Sequence, residues 1–367
     1  MSMGCHPVIV FDNGYKKRVN RPMANNNTTK KTWLKRIAIA LGTLLLILSA
    51  LTSLGLWQMN RFVHTPADQS GKQQIIIIKP GKSLKGISRL LAHKKIITQD
   101  ILFRLLVRHR KMATKIQAGE YGLSASMTPE QILTILVKGQ VMLHHITIPE
   151  GLNLEETAKL VERAGFGTRK DFLDLARDPG FAEQLKVRAA TLEGYLFPET
   201  YFFRKDTPQK KIIQQMVQRF NVVYTPQWKQ RTLDLGFSAH EIVTLASIIE
   251  KETGNSSERP IIASVFHNRL KRGMRLDSDP TVIYGIPDFN GNITRKDLQT
   301  ITPYNTYKIK GLPAGPIANP GKFSLGAALF PAKTDFLYFV SKKDTTHKFS
   351  KTIQEHNKAV RRYQLGR

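Results

Sequence analysis

Cysteine is nearly absent from this 367-residue sequence, which carries Cys5 and no other. That excludes an internal disulfide framework and any metal site built on two or four thiolates. Acids are scarce too: 28 Asp and Glu stand against 56 Lys and Arg, for a formal net charge of +28. A surface so basic attracts polyanions, whether nucleic acid, anionic lipid or an acidic polysaccharide. Disorder is excluded, because a hydrophobic share of 41% is ordinary for globular chains and the length allows two or three domains.

Charge is missing altogether from Ile37 to Trp57, a run of 21 residues rich in Leu and Ile. As a helix it would be about 30 Å long, the thickness of a bilayer's hydrocarbon core. This predicts a transmembrane helix over 37–57. Eight Lys and Arg precede it against one acid, Asp12, whereas three Lys or Arg and one Asp follow Trp57 up to and including Lys79. The positive-inside rule makes 1–36 a basic cytoplasmic tail and puts the rest outside, in the periplasm if the inner membrane is crossed. A cleaved signal peptide fits less well: the apolar run is too long, and Ser53 with Gly55 makes a poor cleavage site. Outside the cytoplasm no nucleic acid is expected, so lipid headgroups and a carboxylate-bearing wall polymer remain as partners, with a merely solvated basic surface as the bland alternative. Met23, opening a polar and basic leader, is a candidate functional start.

Past the span, 58–74 is polar, contains Pro66 and Gly71, and reads as a linker. Ile75–Ile78 predicts a short buried strand, and Ser83 the cap of a helix with Leu84, Ile87, Leu90 and Leu91 on one face. Thr98 should cap a second helix, and Thr128-Pro129-Glu130 should open a third. The same strand–helix–helix pattern returns about seventy residues later, with Ile146–Ile148 as strand, Asn153 as cap and Phe172 and Leu175 in the second helix.

A helix capped by Ser238 and reaching Glu252 carries the first candidate for chemistry. Its core face is Ile242, Leu245, Ala246 and Ile249. Glu250 falls about 80° round from Ile242, at the rim of that face and beside small side chains, where desolvation favours a held proton. Glu252 lies about 160° from Glu250, so the two acids cannot converge on one bond. Spacing alone does not separate this from a solvated glutamate at a helix end. Downstream stretches, Gly273–Gly285, Tyr304–Tyr307 and Gly311–Gly321, are dense in Gly, Pro, Asn and Tyr, a composition suited to sugar surfaces.

The runs Leu192-Glu193-Gly194-Tyr195-Leu196-Phe197-Pro198-Glu199-Thr200-Tyr201, Ala246–Thr253, Asp279–Gly285, Tyr304–Tyr307 and Gly311–Gly321, in that order, resemble the endolytic murein transglycosylase family, also called the YceG-like family. The resemblance extends from the membrane span to near the C-terminus; residues 1–22 depart from the family's short N-terminus. It implies an α+β chain: one N-terminal transmembrane helix, a LysM-like module over 75–145 and a mixed α/β catalytic domain over 146–367. It makes Glu250 the catalytic residue and places Glu193, Tyr195, Arg275, Asp279, Tyr284, Tyr304, Asn305 and Tyr307 in motifs that line a glycan cleft. The implied partners are peptidoglycan strands and peptidoglycan synthases, the penicillin-binding proteins. No cofactor or metal is implied; His144 and His145 are adjacent in an expected strand and face opposite ways.

In such an enzyme one residue does two jobs. Protonated Glu250 would protonate the oxygen joining MurNAc to GlcNAc, and the carboxylate would then take the C6 hydroxyl proton as a 1,6-anhydro ring closes. Two rivals remain open: a muramidase using Asp277 or Asp279 as a second carboxylate, and a non-catalytic scaffold that binds wall polymer.

Overall fold

The computed structural model describes residues 27–287 and 289–366; Cys5, Met23 and most of the expected basic tail lie outside them. The first helix, α1 (Asn27–His64), is long and apolar enough to cross a membrane. Its most apolar window reaches a mean hydropathy of 2.3, and none of that window is buried in protein. The helix continues beyond Trp57 into the expected linker. Nothing between Gln58 and His64 breaks it, Phe62 and Val63 are buried, and Pro66 follows shortly after the end.

The chain, α1 included, divides into two compact units, neither continuous in sequence. One contains 27–74, 81–116 and 123–138, with helices α2 (Leu84–His93), α3 (Asp100–His109) and α4 (Pro129–Lys138). Ser83 caps α2 by accepting from the Gly86 N–H, as its sequence predicts. The cap position of α3 falls on Gln99 rather than Thr98, with no side-chain bond. Thr128 and Gln131 exchange side-chain-to-backbone bonds at the start of α4, where Pro129 needs no donor partner.

The second unit contains 75–80, 117–122 and 139–366. Strand β1 (Gln73–Ile78) pairs with β2 (Gly119–Ser124). Its isoleucines alternate rather than being buried together: Ile76 and Ile78 point inward while Ile75 and Ile77 are exposed. Strand β3 (His144–Thr147) runs antiparallel to β4 (Thr200–Phe203), with Ile146 opposite Tyr201. Between them lie α5 (Leu154–Arg163), capped by an Asn153–Glu156 box, then α6 (Arg169–Ala176) and α7 (Pro179–Gln184). The strand–helix–helix order read twice in the sequence is present twice. The chain continues through α8 (Gln209–Val223), α9 (Pro226–Asp234), α10 (Ala239–Glu252) and α11 (Arg259–Lys271). Short helices α12 (Asp279–Tyr284) and α13 (Arg295–Gln299) precede α14 (Lys322–Leu329). The hairpin of β5 (Tyr338–Ser341) and β6 (His347–Ser350) and then α15 (Ile353–Tyr363) complete it.

Helix α10 is the hub. A Ser238–Glu241 capping box starts it, and every residue from Ile242 to Ile249 is buried. The expected core face is there, but Val243, Thr244, Ser247 and Ile248 are buried as well, because α9, α11, α12 and α14 pack around it. A helix covered on all sides belongs to the interior. Its hydroxyls are satisfied internally: Thr244 donates to the His240 carbonyl at 2.8 Å and Ser247 to the Thr244 carbonyl at 2.7 Å. Each buried aliphatic side chain contributes roughly 1.5–3 kcal/mol, so the C-terminal end of α10 is firmly placed. Glu250 stands on that end.

Candidate active site

Glu250 has a side chain only 5% exposed. Its Oε1 accepts from Arg259 Nη2 at 2.9 Å, and its Oε2 accepts from the Gly321 N–H at 2.9 Å. Arg259 is the first residue of α11 and Gly321 the cap of α14. Three helix ends therefore converge. The end of α10 brings the acid, the start of α11 a guanidinium, and the start of α14 a backbone donor at the positive end of a helix dipole. The turn at Gly151 closes over the acid: a Cβ there would lie 3.6 Å from Glu250 Cγ. Lys251, exposed, donates to the Gly151 carbonyl at 3.2 Å.

A second acid shares the same guanidinium. Glu150 Oε2 lies 3.8 Å from Arg259 Nη2, and its side chain is 41% exposed where that of Glu250 is 5%. Its carboxyl occupies the space a side chain at Gly321 would need, since a Cβ there would fall 1.9 Å from Glu150 Oε1. Partial burial pushes the Glu150 carboxyl above its ordinary range, the charge of Glu250 adds to this, and Arg259 opposes both. Two carboxylates around one guanidinium make a cluster that becomes neutral on taking up one proton.

Asn319, fully buried, ties the surrounding segments together. Its Oδ1 accepts from the Leu196 N–H at 3.0 Å and its Nδ2 donates to the Leu152 carbonyl at 2.9 Å. Its own N–H also reaches Leu152 O, and its carbonyl accepts from the Gly151 N–H. The turn bearing Glu150, the Leu192–Tyr201 motif and the Gly311–Gly321 loop are thus one knot.

The other expected cleft residues are placed as follows. Glu193 is buried, accepts from the Leu154 N–H at the start of α5, and takes the Tyr284 hydroxyl at 2.9 Å. Burial pushes its carboxyl up to about 7, against those two donors. The Tyr304 ring lies against that of Tyr284, tilted by 59°, ring centroids 4.8 Å apart. Tyr195 is buried, with its hydroxyl 3.0 Å from His240 Nδ1 and its ring stacked on that imidazole. Asn305 is buried, donates to the carbonyls of Asp297, Leu298 and Thr300, and accepts from the Tyr307 N–H. The Tyr307 hydroxyl donates to Asp279 at 2.7 Å, while Arg275 is exposed. Glu193, Tyr195 and Asn305 are therefore bonded inside the protein and shape its loops. Asp277, weighed as a second carboxylate, pairs with Arg269 at 3.3 Å. Glu252, half-buried, accepts from Ser278 Oγ at 2.5 Å, bonded apart from Glu250, as the helical wheel predicts.

Glu150, Arg259 and Asn319 are not singled out by the sequence, and Gly321 stands only at the edge of the Gly311–Gly321 motif. The available signal for Glu150 is its turn, Pro149-Glu150-Gly151, directly ahead of a capped helix.

Residues 76–362 match the sequence profile of the YceG-like family. A Bacillus subtilis (strain 168) protein named endolytic murein transglycosylase is 36% identical over 315 residues, covering 81% of this chain and 87% of that protein. A protein of the same name from Streptococcus pneumoniae serotype 2 is 29% identical over 311 residues, covering 75% of this chain and 56% of that protein. The crystal structure of a yceG-like protein from Listeria monocytogenes aligns with a TM-score of 0.56 at 36% identity, covering 78% of this chain and 98% of that one. The profile match over most of the chain and the 36% identity to the Bacillus subtilis protein agree: the chain belongs to the YceG-like family.

Proposed function

We propose that this protein is a membrane-anchored lytic transglycosylase that cuts MurNAc–GlcNAc bonds within nascent peptidoglycan strands, leaving 1,6-anhydro-MurNAc ends and terminating elongation. The observation that carries the reading is the nearly buried Glu250, with a donor on each carboxylate oxygen. In the first half-step Glu250 gives a proton to the leaving oxygen. Arg259 and the Gly321 N–H then hold the carboxylate that forms, fixed in advance by two helix starts. In the second half-step that carboxylate takes the C6 hydroxyl proton as the oxygen closes on C1, so the acid is regenerated and water is not consumed.

The anchor α1 keeps the enzyme at the membrane, with the N-terminus cytoplasmic and the catalytic domain in the periplasm, where new strands and their synthases are met first. Residues 75–145 serve as a LysM-like module, and 146–367 as the catalytic domain. The cleft motifs containing Glu193, Tyr195, Arg275, Asp279, Tyr284, Tyr304, Asn305 and Tyr307 support the site by holding its loops in register.

One observation favours a second reading. A hydrolase needs two carboxylates, and Glu150 is a second acid on the guanidinium that holds Glu250. Product mass separates the two, since a muramidase leaves a reducing MurNAc end heavier by one water. The deciding variant is Glu250→Gln, which keeps shape and removes the titrating proton. Folding should survive while turnover on isolated peptidoglycan falls at least ~10²-fold; wild-type release of anhydro ends by a folded Glu250→Gln protein would refute the assignment.

A further inference from the structure

We propose that a groove along the outer face of α8 seats the glycan strand on one side of the bond to be cut; this rests on the transglycosylase reading and extends it to a binding site. Gln215, Gln218, Arg219 and Val222 are spaced i, i+3, i+4 and i+7, so they share one face of α8. That face and strand β4 border a cavity of about 430 Å³. A second cavity, about 460 Å³, shares Glu199, Arg219 and Val222 with the first and runs past Phe197 and Trp228 to Lys322 and Glu150. The two are segments of one groove, and its head is the acid that shares Arg259 with Glu250.

The lining matches an N-acetylated amino-sugar polymer carrying acidic peptides. A pyranose ring has an apolar C–H face and a polar edge, so its site needs flat apolar surface beside amides and charges. Val222 and Phe202 are 59% and 58% exposed, apolar side chains left open along this groove. Arg219 lies over the Phe197 ring, 6.0 Å from its centroid, and is tied to Glu199. Its guanidinium is therefore a fixed planar surface. Gln215 and Gln218 offer amides to hydroxyl and acetamido groups. Exposed Lys322, beside Glu150, supplies a cation for the carboxylates of the stem peptides. From Gln215 to Val222 the helix rises about 10 Å, more than one sugar ring, and the second cavity adds to this. A site that holds several sugars on one side of the acid disfavours bonds close to the strand end on that side.

The test uses the full-length chain in detergent with uncrosslinked peptidoglycan strands. Phe202→Ser/Val222→Asp removes the apolar floor, and Gln215→Ala/Gln218→Ala removes the amides; the four positions lie away from the Glu250 cluster. Each pair should raise KM about tenfold and weaken strand binding, measured by fluorescence anisotropy, by a similar factor, with kcat within about twofold and melting unchanged. Folded variants that bind and cut like wild type, or that lose only kcat, overturn the groove. Should wild type bind strands without cutting them, the binding arm still decides: weaker binding by the variants keeps the groove while the catalytic reading fails.

Discussion

Glu193 offers a quantitative test of what holds this site together. Its carboxyl is buried and pushed from 4.5 to about 7, chiefly by loss of solvent. The folded protein therefore keeps a proton there that the unfolded chain releases. Stability from this group is complete below about pH 4.5 and is lost as pH rises to about 7. The span of some 2.5 pK units corresponds to roughly 3 kcal/mol. Glu193→Gln cannot ionise, so its stability relative to wild type should rise by about that amount between about pH 5 and about pH 8. For a unit of this size that is a change of roughly 6–12 °C in the difference between melting temperatures. His267 and His356, whose burial holds them below the usual imidazole range, act in the opposite sense. For that reason the quantity to read is variant minus wild type, by near-ultraviolet circular dichroism of the detergent-solubilised chain. Parallel melting curves across this range would refute the reasoning. Because Glu193 bonds Leu154 and Tyr284 rather than facing an open cleft, turnover by Glu193→Gln should stay within about threefold of wild type.

Gly321→Ala should preserve the fold, since the backbone there has φ −77°, yet its Cβ must push the Glu150 carboxyl aside; turnover should fall about tenfold with melting unchanged, and wild-type turnover would show that the placement of Glu150 does not matter. Arg259→Met leaves two acids around a site whose guanidinium was 9% exposed. Denaturant titration at neutral pH should show a loss of roughly 3–5 kcal/mol, shrinking near pH 4 as the acids take up protons; a loss independent of pH would contradict the charge account. A reporter active only outside the cytoplasm, fused after Arg367, should be active; silence there with an active cytoplasmic reporter would reverse the topology.

Much of the local architecture is legible in the sequence because its causes are local. Ser83, Asn153 and Ser238 cap helices where their spacing says they should, and the apolar run before Trp57 is helical. The exceptions come from tertiary context. Ser247 and Thr244 look like a polar flank of α10 but are enclosed by packed helices and bond within their own backbone. Glu250 stands out through its motif, whereas Glu150 carries no periodic signal, being 100 positions away in an irregular turn. Arg259 looks like one more surface cation in a very basic chain until the fold lays it between two acids. Glu193 shows the converse: a glutamate in a dense motif turns out to cap a helix from inside.

The knot at Asn319 also bears on timing. Leu152, Leu196 and Asn319 are joined by one side chain, and the acid cluster draws on positions 150, 250, 259 and 321. No short segment contains a working fragment of this arrangement, and the loop-closure cost of such distant contacts delays their formation. A chain emerging N-terminus first cannot assemble the cluster until Gly321 has emerged. On the proposed assignment, a copy whose C-terminal part has yet to emerge lacks both the Gly321 donor and the Asn319 tie, and so would hold Glu250 without its surroundings.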